Sequence, residues 1–247
     1  NAFSLVFQPQ LDDENHIIGA EVLCRWVNRG QSVSPDVFIS AAEETNLILP
    51  LGRWLVMESC RTLKQWRDAQ LLPTSFNRLA INISAAQFMD PKFEEFITEA
   101  IRYHKLCPKL LELELTETLF MGDKHIIREK MSALSLLGFT FALDDFGTGY
   151  SSLSYLQRLP INKLKIDRSF VMDILDSKTP ISIVDSIIQL GQNLKMDIIA
   201  EGVETNDQCA YLSNHGCHSF QGYLFSRPLT EENFLKFIRN HSSQQDV

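Results

Sequence analysis

The 247-residue sequence contains no Cys-x-x-Cys pair, and its five cysteines, Cys24, Cys60, Cys107, Cys209 and Cys217, form an odd, scattered set. That argues against a disulfide framework and a thiolate zinc site, and it suits a reducing cytoplasm. The six histidines show no ligand-pair spacing. No apolar run approaches the ~18 residues that span a bilayer and no secretory leader is visible, so no membrane segment is expected. Basic residues are outnumbered 23 to 31, for a net charge of −8. This balance argues against DNA or RNA binding through phosphate neutralisation, and a phosphate ligand would need cations to help. No low-complexity stretch, charge block or Pro/Ser-rich linker divides the chain, so one domain is assigned to residues 1–240, followed by a loose tail over 241–247. The chain starts at Asn1 and enters an apolar run directly, which reads as a domain of a longer protein.

What is present is a β/α rhythm. Short strand-like runs fall at 5–8, 18–23, 79–83, 111–115, 139–143, 163–166, 197–200 and 219–221. Amphipathic segments at 35–44, 51–68, 91–103, 125–137, 152–159, 182–194 and 207–215 read as helices. Ser34-Pro35 and Asp90-Pro91 match an N-cap followed by proline at the first helical position. Eight strands with intervening helices in one domain of this length predict a (β/α)8 barrel over an open doubly wound sheet. The link between the first two strands is too short for a helical crossover, so that pair is expected to be antiparallel.

The most informative run is Leu143-Asp144-Asp145-Phe146-Gly147-Thr148-Gly149-Tyr150-Ser151-Ser152, where an apolar strand gives way to a Gly-rich turn. Successive strand side chains alternate faces, so Asp144 and Asp145 can serve one site only if the chain leaves strand geometry there. Gly147 and Gly149 supply the permissive backbone for that departure.

In a barrel the active site is built where strands end. Each predicted strand after the first offers a polar group there: Glu21, Asn82, Glu114, Asp144 with Asp145, Lys165, Glu201 and Gln221. Each has a plainer explanation alone. Glu114, for instance, sits in an alternating Leu-Glu run that a strand with one solvated face would show, and Glu201 and Glu204 could belong to an acidic first helical turn. Together, four or five carboxylates at one barrel mouth would repel one another unless positive charge sat among them. An oxygen-rich donor set suits hard cations such as Mg2+ or Mn2+ and not zinc.

On these residues the sequence resembles the EAL-domain family, cyclic di-GMP phosphodiesterases, over nearly the whole chain. The name motif stands here as Glu21-Val22-Leu23, with Val22 replacing the family's alanine. Further matches are Gln8-Pro9, Asn82-Ile83-Ser84, Glu114-Leu115-Thr116-Glu117, the Asp144-to-Ser152 run, the 164–170 segment ending Arg168-Ser169-Phe170, Ala200-Glu201-Gly202-Val203-Glu204-Thr205 and Gln221-Gly222-Tyr223. Gln10 departs from the aliphatic residue of many members and is expected to tune the substrate groove.

The resemblance implies a modified TIM barrel, (β/α)8 with its first strand antiparallel, and hydrolysis of cyclic di-GMP to linear pGpG in bacterial second-messenger degradation. It implies two divalent cations, Mg2+ or Mn2+, with Ca2+ binding but not supporting turnover. Glu21, Asn82, Glu114 and Asp144 match the ligands of one cation; Asp144, Asp145 and Glu201 match those of the other. Lys165 matches the lysine that orients or deprotonates the attacking water, with both roles open, and Gln221 the glutamine near that water. Glu204 matches the glutamate that holds the 145–152 loop; Gln8, Leu23 and Arg25 match substrate contacts. A homodimer and a regulatory domain elsewhere in a longer chain are implied as well. Two rival readings are a receptor that binds the dinucleotide without cutting it and an enolase-like proton abstraction, which also sets carboxylates and a lysine around Mg2+.

Overall fold

β1 (Phe3–Asp12) and β2 (Ile17–Asn28) form an antiparallel hairpin from which the rest of the molecule is built. The architecture is taken from a computed structural model that describes residues 2–147, 153–175 and 183–245. Parallel strands follow in sequence: β4 (Arg78–Asn82), β5 (Leu111–Thr116), β6 (Thr140–Phe146), β7 (Lys163–Ile166), β8 (Asp197–Ala200) and β9 (Ser219–Phe220). Their spatial order is β1-β9-β8-β7-β6-β5-β4-β2, and the β1–β2 pairing closes the sheet into an eight-stranded barrel. β1 is antiparallel to both neighbours, as the short first connection requires. A short β3 (Gln31–Val33) hangs on the outer end of β2.

Helices cover the barrel: α1 (Pro35–Glu44), α2 (Ile48–Asp68), α3 (Ala85–Met89), α4 (Phe93–Tyr103), α5 (Lys124–Leu137), α6 (Leu153–Leu156), α7 (Arg168–Met172), α8 (Ile183–Leu194), α9 (Asn206–Asn214) and α10 (Glu231–Gln245). α2 begins before the expected residue 51 because Pro50 stands in its first turn, where the missing N–H costs no intrahelical bond. β3, α3, α7 and α10 were not expected from the sequence. The domain boundary drawn at residue 240 falls inside α10. The expected helix starts at 152 and 182, and Thr148 to Ser152 of the Gly-rich run, lie outside the described residues.

Several βα turns at one end of the barrel are fixed by a cap on the helix that follows. Ser84 and Gln87 form a capping box at the start of α3, just after Asn82. Asp167 accepts from Ser169 N at 3.0 Å to start α7, two residues after Lys165. Thr205 and Gln208 form a second capping box that starts α9 immediately after Glu204. Each cap satisfies helix N–H groups that would otherwise be orphaned, and so sets where the strand ends.

The hairpin has no crossover helix of its own to shield the outer face of β1. α2 and α10 do that work: Phe7 packs between Trp66, with ring centroids 4.7 Å apart, and Phe234, at 5.7 Å. Trp66 Nε1 donates to Glu231 Oε1 at 3.0 Å. Phe7 and Leu229 exchange backbone hydrogen bonds of 2.7 and 2.8 Å, which fastens the segment before α10 to β1.

Candidate active site

Period-two alternation works in an unexpected direction in β5. Leu111, Leu113 and Leu115 are buried in the hydrophobic core, while Glu112 and Glu114 are buried too, at 0% and 1% exposure. The glutamates therefore do not face solvent, as the plainer reading of the alternation had it. They meet lysines from β7: Glu112 Oε1 lies 2.5 Å from Lys163 Nζ, and Glu114 Oε2 lies 2.9 Å from Lys165 Nζ. Two residues apart on each strand, these pairs form two stacked layers inside the barrel. Arg78, 3.2 Å from Glu112, completes the lower layer.

The upper layer gathers the strand-end residues picked out in the sequence. Lys165 Nζ is 2.7 Å from Glu201 Oε1, 3.0 Å from Asp144 Oδ2 and 4.0 Å from Glu21 Oε1, in addition to Glu114. Asn82 Nδ2 donates to Glu21 Oε1 at 2.6 Å, and Gln221 Nε2 donates to Glu21 Oε2 at 2.5 Å. Residues from Glu21 to Gln221 in the chain thus share one end of one cylinder.

Charge in this layer is uneven. Burial drives the Lys165 ammonium toward neutrality, yet Asp144, Glu114, Glu201 and Glu21 outweigh it and hold the amine well above its usual range. Burial pushes Glu201 up to about 8 despite the opposing pull of Lys165. It raises Glu114 well above the ordinary carboxylate range, with Lys165 again opposing and Glu21, Asp144 and Glu201 adding repulsion. Burial acts the same way on Glu21, but Lys165 and the two amide donors hold its carboxyl below the ordinary value.

The backbone departs from strand geometry where the paired aspartates demand it. Asp145 has φ +55°, and the β6–β7 register shifts between Leu143 and Phe146. This is a bulge, and the strand resumes beyond it at Phe146, which pairs with Ile166. The strand thus continues past its expected end at 143. Gly147 follows with φ +100°, a conformation that glycine adopts without strain. Partial withdrawal from water and the neighbouring charge of Asp144 raise the Asp145 carboxyl to about 6.

Above the layer lies a cleft of about 460 Å3, within the usual size of small-ligand sites. Gln8, Leu23 and Arg25 line it with Glu21, Glu201, Glu204 and Gln221. Pro35, Asp36, Arg168 and Tyr223 line it as well and were not singled out from the sequence. Arg168 and Tyr223 belong to matched motifs, so a signal existed; Asp36 and Lys163 had none beyond their place in a helix and a strand. Glu204 lies 3.6 Å from Arg168 through its Oε1; most of the loop it was expected to hold is outside the described residues. Gln10 does not line the cleft, against the expectation that it tunes the groove. It is buried one layer lower and borders a second cavity, of about 310 Å3, at the opposite end of the strands.

The donor set suits a hard divalent cation. Glu114 Oε1 is buried with no hydrogen-bond partner, and four buried or partly buried carboxylates share one ammonium. Leaving such charge desolvated and unpaired is costly, and oxygen donors of this kind match Mg2+ or Mn2+. Among the described residues no three His, Cys, Asp or Glu side chains already converge as a ligand group, because Lys165 occupies their centre.

Comparison with known proteins agrees with this geometry. The EAL domain family model matches residues 1–228. Signaling protein YkoW of Bacillus subtilis (strain 168) is 41% identical over 244 residues, which cover 98% of this chain and 30% of the relative. The bifunctional diguanylate cyclase/cyclic di-GMP phosphodiesterase MucR of Pseudomonas aeruginosa is 39% identical over 236 residues, 95% of this chain and 34% of that protein. The chain therefore spans about a third of the length of these curated relatives. The solved PaMucR phosphodiesterase, in complex with c-di-GMP, superposes with a TM-score of 0.89 at 38% identity and covers 94% of each chain. No helix among the described residues is long and apolar enough to cross a membrane. A family match over nearly the whole length, relatives near 40% identity and a barrel closed in the same way lead to one conclusion: the chain belongs to the EAL domain family.

Proposed function

We propose that this domain hydrolyses cyclic di-GMP to linear pGpG with the help of two divalent cations, Mg2+ or Mn2+. The observation that carries the reading is the convergence of Glu21, Glu114, Asp144 and Glu201 on Lys165, directly beneath the cleft lined by Gln8, Leu23 and Arg25. The c-di-GMP complex of the solved relative supports the substrate. Glu21, Asn82, Glu114 and Asp144 would hold one cation, and Asp144, Asp145 and Glu201 the other. Bound cations supply a nucleophile at neutral pH and neutralise charge on phosphoryl oxygens.

The chain's own groups do the rest. In the cation-free chain the surrounding carboxylates hold Lys165 as the ammonium, and its Nζ stands at the centre of the layer, where it would orient the attacking water. Asn82 and Gln221 hold both oxygens of Glu21 in place by donating to them. Arg25 brings a guanidinium to the cleft for the phosphate that is not attacked, Leu23 an apolar surface for a base, and Gln8 a hydrogen-bonding amide. The reading extends to a homodimer in the cytoplasm and to a regulatory domain in a longer protein, in line with curated relatives about three times the chain's length.

The test is to incubate the purified chain with cyclic di-GMP in Mg2+, Mn2+, Ca2+ or chelator and to separate the nucleotides. Linear pGpG is expected with Mg2+ or Mn2+ and not with Ca2+ or chelator. Intact dinucleotide under Mn2+, bound but uncut, would replace the enzyme reading with that of a receptor.

A further inference from the structure

Alternation along β1 turns Gln8 and Gln10 to the interior of the barrel, opposite Glu21 and Gly19 of β2. Gln8 reaches the cleft, whereas Gln10 sits a layer deeper and is 1% exposed. Its Nε2 donates to Gln221 Oε1 at 3.0 Å. That bond engages the Gln221 amide oxygen from below, while the Glu21 carboxylate takes its nitrogen from the other side. The Gln221 nitrogen is turned toward Glu21 Oε2 at 2.5 Å and Gln8 Oε1 at 3.4 Å. The reverse orientation would set an amide oxygen against a carboxylate, two acceptors with no proton between them. Room for the Gln10 amide comes from Gly19: a Cβ there would lie 3.1 Å from Gln10 Oε1 and 2.7 Å from the carbonyl oxygen of Arg78.

We propose that Gln10 is a positioning residue that acts through Gln221 to hold Glu21 in its cation-ligating orientation. The relay runs from Gln10 to Gln221 to Glu21, with Asn82 closing it from the other side. The proposal rests on the reading of Glu21 as a cation ligand. A partner that orients a ligand from behind typically changes cation affinity or activity by about 10–100-fold when removed.

The test uses Gln10→Met, which keeps length and volume but cannot donate, and Gln10→Leu. Each is measured for Mn2+ binding without substrate, for kcat and KM with cyclic di-GMP at saturating and limiting Mn2+, and for melting temperature. The expected result is an Mn2+ midpoint raised about 10-fold or more, kcat restored in part by excess Mn2+, and KM for the dinucleotide within about twofold of the parent. Gln10→Met added to Gln221→Ala should bring no further rise in the midpoint, because the link it removes is already gone. A lowered melting temperature with an unchanged Mn2+ midpoint in both variants would overturn the proposal in favour of simple packing. Additive losses in the double variant would overturn it too. Should the parent chain bind Mn2+ but not cut the dinucleotide, the enzyme reading alone falls, and the binding measurement still decides the role of Gln10.

Discussion

Lys165 Nζ lies 2.9 Å from Glu114 Oε2, and the two side chains meet in the interior of the barrel from strands on either side of β6. This pair expresses the central tension of the site. One ammonium serves Glu114, Asp144, Glu201 and, more distantly, Glu21, and without a cation the arrangement carries more negative than positive charge.

Replacing Lys165 by methionine preserves length and removes the charge. Turnover of cyclic di-GMP should fall by about 10²–10³-fold, the usual effect of deleting a group aimed at developing charge. The cation-free chain should lose about 3–5 kcal/mol of stability, because buried carboxylates are left without their partner. Saturating Mn2+ should recover most of that stability and none of the rate, as read by denaturant melts run beside activity assays.

Glu114→Gln should separate function from stability in the opposite sense. The substitution removes a desolvated carboxylate whose Oε1 has no partner. The cation-free melting temperature is therefore expected to hold or rise, while Mn2+ affinity falls by at least about 10–100-fold and turnover falls with it. A clear drop in cation-free stability would mean that the ion pair with Lys165 outweighs the burial of the charge.

The raised carboxyls fix the direction of the pH dependence. Glu201 is pushed up to about 8 and Asp145 to about 6, so the folded, cation-free chain keeps protons that the unfolded chain has already released. Their contribution to stability is full below the unfolded carboxylate range and is lost as pH rises through 6 and then 8. Cation uptake must expel those protons, so Mn2+ affinity should rise over the same window. Calorimetry at pH 7 in two buffers of different ionisation enthalpy should register net proton release on Mn2+ binding.

Much of this was legible in the sequence. Parallel strands with both faces buried read as short apolar runs, and the brief link between β1 and β2 left only antiparallel pairing. Glu21, Asn82, Glu114, Asp144, Lys165, Glu201 and Gln221 stood out because each falls at or near the end of a strand expected from the sequence. What escaped has physical causes. Glu112 and Lys163 neutralise each other inside the barrel, and nothing in a Leu-Glu alternation tells an inward polar face from an outward one. α3 and α7 are five residues each and are fixed by caps, with no apolar period to mark them. α10 did carry a signal, since Phe234 and Ile238 are buried four residues apart, but its surroundings are strongly polar. Gln10 was noticed as a departure and placed in the groove; its true neighbour, Gln221, comes from the far end of the chain, and only closure of the barrel brings the two together.

Manganese stoichiometry measured by electron paramagnetic resonance on the parent chain and on Asp144→Asn tests the account most directly. Two Mn2+ bound per parent chain, at least one of them lost together with pGpG release in Asp144→Asn, is the predicted result. Undiminished pGpG release by Asp144→Asn, or by the parent chain in chelator with no Mn2+ bound, would contradict it.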